Sequence, residues 1–450
     1  MSMPDAGIAA RIESLKVRNS VQNLDFFGRL LMDNREMTIW EHDTNLLPFG
    51  ARVWRRRARA FAREHIRPCA AAADISPHEY DTRPIIIKAS RQGFQTILLA
   101  MPLGTAFPGS YFLKSASFQA AVIAEEFAAE CGGLALLLMA HHLGCAPLLM
   151  SGHIPTFFRH LLPLYAKTFL GRPSVMAFAI TEPGAGSDVE ETEGGAFAQL
   201  VTTAKKVPGG YSINGRKCFI SDGAIADKVT LFAKLEGEGL ESWTCFLIEK
   251  GMPGYSIGRR EHKLGQRAAD AAELILEDVF VPDRNIVGRL RSGWPNNRNV
   301  LNYSRPVVGA MALGHARGAF ERALEFCRKT MLGPKRLIDY QDIQIELSDM
   351  IVKLWSARAL IWHSCSQFRC YQSASAAAKV AASDIAFHVC TKALEIMGDH
   401  GYVHDNGAER LWRDSRLTQI YEGTNQINRL AIIEHQWDAE LTRSAFAGTV

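Results

Sequence analysis

The sequence predicts an α+β protein of several domains, in which an N-terminal α-helical domain and a C-terminal domain of the four-helix-bundle type flank a middle antiparallel β domain. Three observations predict this order. Residues 50–173 show helical periodicity, residues 174–290 contain short β-branched and aromatic runs between turns, and residues 291–450 carry long apolar stripes of period 3.6. Residues 1–49 form an additional N-terminal extension.

The composition is that of a globular protein. The chain has 450 residues and a net charge of +4, and 47% of its residues are hydrophobic. These values exclude a disordered, collagen-like or coiled-coil chain. The nine cysteines are scattered and form no Cys-x-x-Cys motif, so we expect a reducing compartment, the cytoplasm, with the mitochondrial matrix as the alternative. The longest uninterrupted apolar run, residues 134–140, is far short of the ~20 residues of a membrane span, and none is predicted.

The N-terminal helical domain contains a basic stretch and an uncharged one. Residues 53–68 are rich in arginine and predict a solvated helix face rather than a nucleic-acid site, with Pro68 ending or loosening the helix. Residues 115–158 contain no Lys or Arg, and two apolar helices there are predicted to be buried or to line a pocket. His141 and His142 are adjacent on one of these helices and point apart, which favours core or pocket histidines over a metal site.

The middle and C-terminal regions differ in period. Glycine, proline and asparagine turns separate the strand-like runs of residues 174–290, which predicts an antiparallel sandwich or barrel, since no helices fit between the strands of a doubly wound sheet. Three stripes of more than 20 residues follow, and the third is predicted to end at Gly398. In the extension, an amphipathic helix is predicted from the apolar residues Val21, Leu24, Phe27 and Leu31.

Two glycine-rich signals lie in the middle domain. Residues 181–188, Thr-Glu-Pro-Gly-Ala-Gly-Ser-Asp, form a loop whose N–H groups and hydroxyls could face a polar ligand, or simply a turn between strands. In residues 215–223, Phe219 and Ser221 are two apart and are predicted to share one face of a strand. That face could stack on a planar cofactor, and the alternative is one more core strand.

A third signal lies in residues 413–429, where a charged helix leads into Tyr-Glu-Gly-Thr and a second helix follows. Thr424 is the predicted N-cap of that second helix. Glu422, beside a glycine, could act as a base if an apolar wall raised its pKa; taken alone it could be a surface residue. A phosphate-binding loop, a nucleophile elbow and a His-Glu-x-x-His motif are absent from the sequence.

Together the three signals resemble the acyl-CoA dehydrogenase family, in order and in spacing, over roughly residues 50–440. Tyr-Ser-Arg-Pro-Val-Val-Gly at residues 303–309 lies between them, as in the family. The resemblance implies an enzyme that holds FAD between the β domain and the C-terminal bundle. It also implies a homotetramer in which a neighbouring subunit contributes cofactor contacts, an acyl-CoA substrate, and an electron-transfer flavoprotein as acceptor.

Residue roles follow from the same resemblance. Glu422 matches the base that removes the α-proton while the β-carbon passes a hydride to flavin N5, leaving a trans-2-enoyl-CoA; its backbone N–H and a ribityl hydroxyl polarise the thioester carbonyl. The implied cofactor-binding residues are Phe178, Ile180, Thr181, Ser187, Phe219, Ile220, Ser221, Arg328, Gln341, Gly398, Thr424 and Gln426. The implied substrate-binding residues are Ser187, Tyr303, Arg305 and Gly423.

Three segments depart from the family pattern. Residues 328–333 lack the usual Phe, residues 395–399 carry acids where Gln and Gly are usual, and the loop at 101–109 lacks the usual Pro-Glu-Glu-x-Gly-Gly. Decarboxylating relatives of the glutaryl-CoA type place an Arg in the stretch that here has no Lys or Arg. We therefore expect an apolar or cyclic acyl group. The alternatives are an acyl-CoA oxidase or a flavin monooxygenase-like relative on the same fold, or a non-catalytic assembly protein that has kept it.

Overall fold

The computed structural model describes residues 10–11, 14, 26–31, 37–106, 116–190, 192–366 and 369–447. The chain divides after Leu47 into two compact units. In the first unit, α1 spans Phe26–Leu31 and α2 spans Ile39–Leu46. Thr38 caps α2 in a capping box, since its hydroxyl accepts from the Glu41 N–H while the Glu41 carboxylate accepts from the Thr38 N–H. Of the predicted amphipathic helix, Phe27 and Leu31 lie in α1, and Val21 and Leu24 lie outside the described residues.

The second unit begins with helices, as the periodicity predicts. Their bounds are α3 Phe49–Phe61, α4 Ala70–Ile75, α5 Arg83–Arg91, α6 Ala116–Ala128, α7 Gly132–Met150, α8 Ile154–Thr156 and α9 Leu162–Phe169. After Phe61 the helix loosens into π-helical and 3₁₀ turns that include Pro68, as expected. The predicted solvated basic face is wrong for Arg55, which is 1% exposed and donates hydrogen bonds to Glu125 and Glu126.

The two helices from the stretch without Lys or Arg are buried, which confirms their prediction. Every residue of α6 is buried. α7 is long and apolar enough to cross a membrane by composition, but 78% of that apolar segment lies inside the protein, as in an interior helix. Of the departing loop at 101–109, residues 101–106 are described and residues 107–109 are not.

The middle region is one sheet of eight strands. The strands are β1 Met176–Ala179, β2 Thr203–Val207, β3 Gly210–Ser221, β4 Lys228–Leu235, β5 Thr244–Glu249, β6 Tyr255–Arg260, β7 Ala271–Pro282 and β8 Ile286–Val287, and one short helix, α10 (Thr192–Phe197), precedes β2. The strand order is β6-β7-β3-β2-β4-β5-β8, with β1 paired to β4. The prediction of a purely antiparallel sheet is wrong at two pairs, because β4 runs parallel to both β1 and β2. β3 reverses the chain, and β4 then lies beside β2 rather than beside β3.

The C-terminal region consists of long helices. They are α11 Gly293–Lys329, α12 Gln341–Ser364, α13 Gln372–Met397, α14 Ala408–Leu417 and α15 Asn425–Ala447, with a short hairpin, β9 Met331–Leu332 and β10 Lys335–Arg336, after α11. α13 ends at Gly398 as predicted, with φ of 54°. α11 crosses α6 closely at Gly318, where an added Cβ would lie 2.3 Å from the Ala129 carbonyl oxygen. The N-terminal part of α11 lies beside the sheet, where the Gly293 N–H donates to the Trp243 carbonyl oxygen, and beside the turn between α14 and α15, where Ser304 bonds to Glu422.

Candidate functional site

A cavity of about 540 Å³ lies where the N-terminal helices, the sheet and the C-terminal helices meet. Most of its wall is apolar. Much of its polar lining comes from the loop after β1, the end of β3, α11 and the turn between α14 and α15, and Ser117, His142, Lys263 and Gln266 add further polar side chains. The sequence-predicted residues that line it are Phe178, Ile180, Thr181, Ser187, Phe219, Ile220, Ser221, Tyr303, Glu422, Gly423 and Thr424.

The glycine-rich loop is fixed by a buried ion pair rather than left as a free turn. Lys217 and Glu182 are both fully buried, and the Lys217 Nζ lies 2.7 Å from a Glu182 oxygen. The other Glu182 oxygen accepts from the N–H groups of Val201 and Thr202. Glu182 therefore anchors the loop, while Ser187 at its other end faces the cavity.

The end of β3 presents an aromatic side chain to the cavity. A β-bulge falls between Lys217 and Ile220, and Phe219, which lies within it, has φ of 57° and is 59% exposed. Phe219 and Ser221 both line the cavity, in agreement with their predicted placement on one face, and Ile220 within the same irregular stretch lines it as well. A bulky residue in the left-handed region is strained, and its open ring offers a flat surface for a planar ligand.

The turn between α14 and α15 is also left-handed. Glu422 has φ of 53° and Gly423 has φ of 79°. Thr424 caps α15 as predicted, since its hydroxyl accepts from the Ile427 N–H at 3.3 Å. Ser187 of the glycine-rich loop accepts from the Thr424 N–H at 3.1 Å. Two of the three sequence signals are thus joined directly by a hydrogen bond.

The Glu422 carboxyl group lies at the cavity wall beside α11. Ser304 donates a hydrogen bond of 2.6 Å to it. Burial raises the pKa of Glu422 to about 7, since the Ser304 hydrogen bond and the positive charge of Arg305 offset only part of the desolvation. A carboxyl group with this pKa can accept or release a proton near neutral pH, which is what a general base requires.

A group of buried charges lies behind this turn. Arg305 was predicted to be part of the substrate-channel wall, but it is 3% exposed and is not among the residues that line the cavity. It donates a hydrogen bond of 3.0 Å to Glu190, and Glu190 lines the cavity. Lys379 of α13 is fully buried and donates to the Gly423 carbonyl oxygen at 2.7 Å. Sequence reasoning missed Glu190 and Lys379. A lysine within the alanine-rich stripe of α13 was the available signal for Lys379.

The paired histidines behave as core and pocket residues. His141 contacts the Gln95 carbonyl oxygen and accepts from the Met176 N–H, whereas His142 contacts the Phe94 carbonyl oxygen and lines the cavity. Burial lowers the pKa of His141 to about 3 and that of His142 to about 4, so both are neutral. Within the described ranges, no cluster of three or more His, Cys, Asp or Glu side chains could hold a metal ion.

Four predicted cofactor residues lie on the exposed surface and not at the cavity: Arg328, Gln341, Gly398 and Gln426. The family resemblance implies that a neighbouring subunit contributes part of the cofactor contacts. Their roles stay predictions.

Comparison with known proteins follows the same three regions. The N-terminal, middle and C-terminal domain models of acyl-CoA dehydrogenases match residues 51–154, 177–279 and 291–436. The chain is 33% identical to cyclohexane-1-carbonyl-CoA dehydrogenase of Geobacter metallireducens over 85% of its own length and 96% of the relative's. The chain belongs to the acyl-CoA dehydrogenase family. Its three-region architecture is the family's fold, and its activity is oxidation of a CH–CH bond of an acyl-CoA.

Two further family members are informative. A subunit of the caffeyl-CoA reductase–Etf complex of Acetobacterium woodii is 33% identical over 68% of this chain and 79% of the relative. The structure of butyryl-CoA dehydrogenase from Megasphaera elsdenii superposes with a TM-score of 0.79 at 29% identity, covering 87% of this chain and 99% of that one.

Family membership implies FAD, and the cavity of this acyl-CoA dehydrogenase fits it. Phe219 exposes an aromatic face there although its backbone is strained, and the hydroxyl-bearing residues Thr181, Ser187, Ser221 and Thr424 line the same space. A flat ring system with polar edges matches this combination.

Proposed function

We propose that this enzyme oxidises an acyl-CoA thioester to the trans-2-enoyl-CoA with Glu422 as the base. The observation that carries the proposal is the Glu422 carboxyl group at the wall of a largely apolar cavity, bonded to the hydroxyl of Ser304 and with a pKa raised to about 7. A carboxylate in such surroundings is a stronger base than one in water, and it is still ionised in a large fraction of molecules at neutral pH.

The chain's own residues bind, orient and deprotonate the substrate. The Glu422 carboxylate takes the α-proton, and the electron pair of that C–H bond becomes the new α,β double bond as the β-hydride leaves. FAD, when bound, supplies the acceptor for that hydride. Phe219 and Ser221 would lie against its ring system, with Thr181, Ser187 and Thr424 at its polar edges, and the apolar wall excludes water.

The acyl end of the cavity supports an apolar or cyclic acyl group. Small side chains of α6 and α7 line it, among them Ala116, Ala120 and Ala140, which leaves width for a ring. Lys263 is the cation among the described lining residues, and its Nζ donates to the Ala269 carbonyl oxygen at 2.6 Å. The similarity to a cyclohexane-1-carbonyl-CoA dehydrogenase agrees with this choice.

The proposal extends to partners. Similarity to a subunit of a caffeyl-CoA reductase–Etf complex supports an electron-transfer flavoprotein as the electron acceptor. A homotetramer would bring Arg328, Gln341, Gly398 and Gln426, which are exposed here, to a neighbouring subunit's cofactor.

Replacing the base tests the reaction. In Glu422→Gln, FAD should remain bound, while flavin bleaching by added acyl-CoA slows by about 10²–10⁴-fold, the usual contribution of a general base. Stopped-flow absorbance measures it. Glu249→Gln, a surface change in the same residue type, is the control and should bleach like the parent enzyme. Unchanged bleaching in Glu422→Gln would place the base elsewhere.

A panel of thioesters tests the acyl group. We expect cyclohexanecarbonyl-CoA or butyryl-CoA to bleach the flavin faster than glutaryl-CoA, because a distal carboxylate would be buried against alanines without a free cation. Initial rates at equal concentrations give the comparison. If glutaryl-CoA is the fastest substrate, the apolar assignment is wrong.

A further inference from the structure

The turn that carries Glu422 is held from the side opposite the cavity by a fully buried lysine. Lys379 of α13 donates to the Gly423 carbonyl oxygen at 2.7 Å and to the Asn425 side-chain oxygen at 2.9 Å. Asn428 adds a hydrogen bond of 2.7 Å to the same Gly423 carbonyl oxygen. A turn with two consecutive left-handed residues, one of them Glu422, persists only where its surroundings hold it.

Glu190 approaches the same turn from the glycine-rich segment. A Cβ added at Gly423 would lie 2.4 Å from a Glu190 carboxylate oxygen, so the Glu190 side chain packs directly against the turn at Gly423. Glu190 is 5% exposed and Arg305, its partner, 3%. Glu190 lines the cavity, whereas Lys379 and Arg305 lie behind it. Two carboxyl groups and two cations therefore lie together at this turn, and we term them the base cluster: Glu190, Arg305 and Lys379, which are buried, and Glu422 at the cavity wall.

Charges within the base cluster act strongly on one another because little solvent screens them. The groups that face Glu422 are Ser304 and Arg305 from α11, Glu190 from the segment after β1, Lys379 from α13 and the neighbouring Tyr421. Asp384, one turn further along α13, bonds to Asn425 and Arg429 instead. Burial raises the pKa of Glu190, and the bonded Arg305 opposes that shift. Glu190 is thus the acidic group, and Lys379 a cation, whose removal leaves the Ser304 hydrogen bond in place.

We propose that Glu190 and Lys379 are positioning residues for the dehydrogenation, with Lys379 fixing the turn that carries Glu422 and the two charges setting, in opposite directions, the pH at which Glu422 becomes active. The proposal rests on Glu422 being the base. Burial lowers the pKa of Lys379 to about 7, and the negative charges of Glu190 and Glu422 oppose that shift, so the cluster titrates as a unit near neutral pH.

The test compares the acid limb of kcat/KM against pH in Glu190→Gln and in Lys379→Met. Glu190→Gln removes an anion and leaves Arg305 uncompensated, which favours the Glu422 carboxylate, so the limb should move to lower pH. Lys379→Met removes a cation, so the limb should move to higher pH, and kcat should fall more than KM changes because the turn loses its anchor. We expect each shift to be about 0.5 pH unit or more, or roughly threefold in activity at a fixed pH on the limb.

Matched surface substitutions provide the control. Lys228→Met and Glu249→Gln alter a partly exposed Lys–Glu pair of β4 and β5 and should leave the limb where it is. The double variant Glu190→Gln/Lys379→Met should return the limb toward the parent position, since the two shifts cancel. If Lys379→Met loses its flavin or does not fold, Glu190→Gln alone decides.

The outcomes separate this inference from the proposed function. An unmoved limb in Glu190→Gln, or shifts of the same sign in both variants, overturns the role of the base cluster even if Glu422→Gln is inactive. Retained bleaching in Glu422→Gln overturns the proposed base itself. Opposite shifts that cancel in the double variant support the inference, because a purely structural role would lower activity without moving the limb in two directions.

Discussion

Two groups of carboxylates in the protein interior and at the cavity wall have opposite properties. Glu125 and Glu126 of α6 lie among Arg55, Arg317 and Arg358, with nitrogen–oxygen distances of 2.7–3.1 Å for the five closest contacts. Burial alone would raise the pKa of Glu125, but Arg358, Arg55 and Arg317 outweigh it and hold that pKa well below its usual range. Glu125 therefore stays ionised, and the ion pairs of Glu125 and Glu126 tie three helices, α3, α11 and α12, to α6.

Glu422 is also surrounded by protein, but no guanidinium bonds directly to it among the described contacts. Its carboxylate accepts a hydrogen bond from the hydroxyl of Ser304, and the guanidinium of Arg305 is bonded to Glu190 and Asn302. Burial therefore prevails, and the pKa of Glu422 rises to about 7. The difference shows that the number of direct cationic partners, and not burial itself, separates a structural carboxylate from a proton acceptor.

The largest effect is expected from a substitution in the group formed by Glu125, Glu126 and their arginines. Glu125→Gln leaves buried arginines without their shared carboxylate, and we expect a loss of about 3–5 kcal/mol in the free energy of unfolding. Denaturant unfolding measures it. Glu422→Gln should not destabilise the protein at pH 8. Burial disfavours the ionised Glu422 carboxylate, and the neutral amide of Gln removes that unfavourable charge.

The sign of the pH dependence separates the two groups further. Glu125 has a depressed folded-state pKa, so its stabilising contribution is present above its unfolded pKa and is lost as the pH falls toward the folded value. Glu422 has a raised pKa, so it favours the folded state when protonated, and that contribution is lost as the pH rises toward about 7. Equal losses of stability in Glu125→Gln and Glu422→Gln at pH 8 would contradict this distinction.

The sequence carried different amounts of information about the two groups. The motif Tyr-Glu-Gly-Thr identified Glu422 as a candidate base from local features, namely the glycine that follows it and the N-cap residue Thr424. The structure contains the same turn and the same cap. Arg55 was predicted to be solvated, because its partner Glu125 lies 70 residues away in the sequence and no neighbouring residue indicates the pairing. Glu190 was missed for the same reason, whereas Lys379 was missed although its place in an alanine-rich stripe marks it locally.

In the fold, too, the features with a local sequence pattern were predicted and those that depend on distant residues were not. Hydrophobic periods of 3.6 and 2 residues predicted the order of helical and β regions, because a helix or strand with one buried face has apolar residues at its own spacing. The parallel pairing of β4 with β1 and β2, and the bulge at Phe219, depend on which strands lie side by side and on local backbone strain. Neither quantity appears in a hydrophobic pattern.

The smallest expected effect sharpens the contrast at Glu422 itself. Ser304→Ala removes the 2.6 Å hydrogen bond that favours the carboxylate, so the pKa of Glu422 should rise further and the acid limb of kcat/KM should move to higher pH. A hydrogen bond to a charged group is worth about 1.5–3 kcal/mol, which sets an upper bound of roughly one to two pH units. Activity well above the limb should change little, since the carboxylate is then fully formed. Ser348→Ala, on the exposed face of α12, is the matched control. A limb that moves to lower pH in Ser304→Ala would mean that the hydroxyl stabilises the protonated form, and that a further cation, rather than this hydrogen bond, keeps Glu422 ionised.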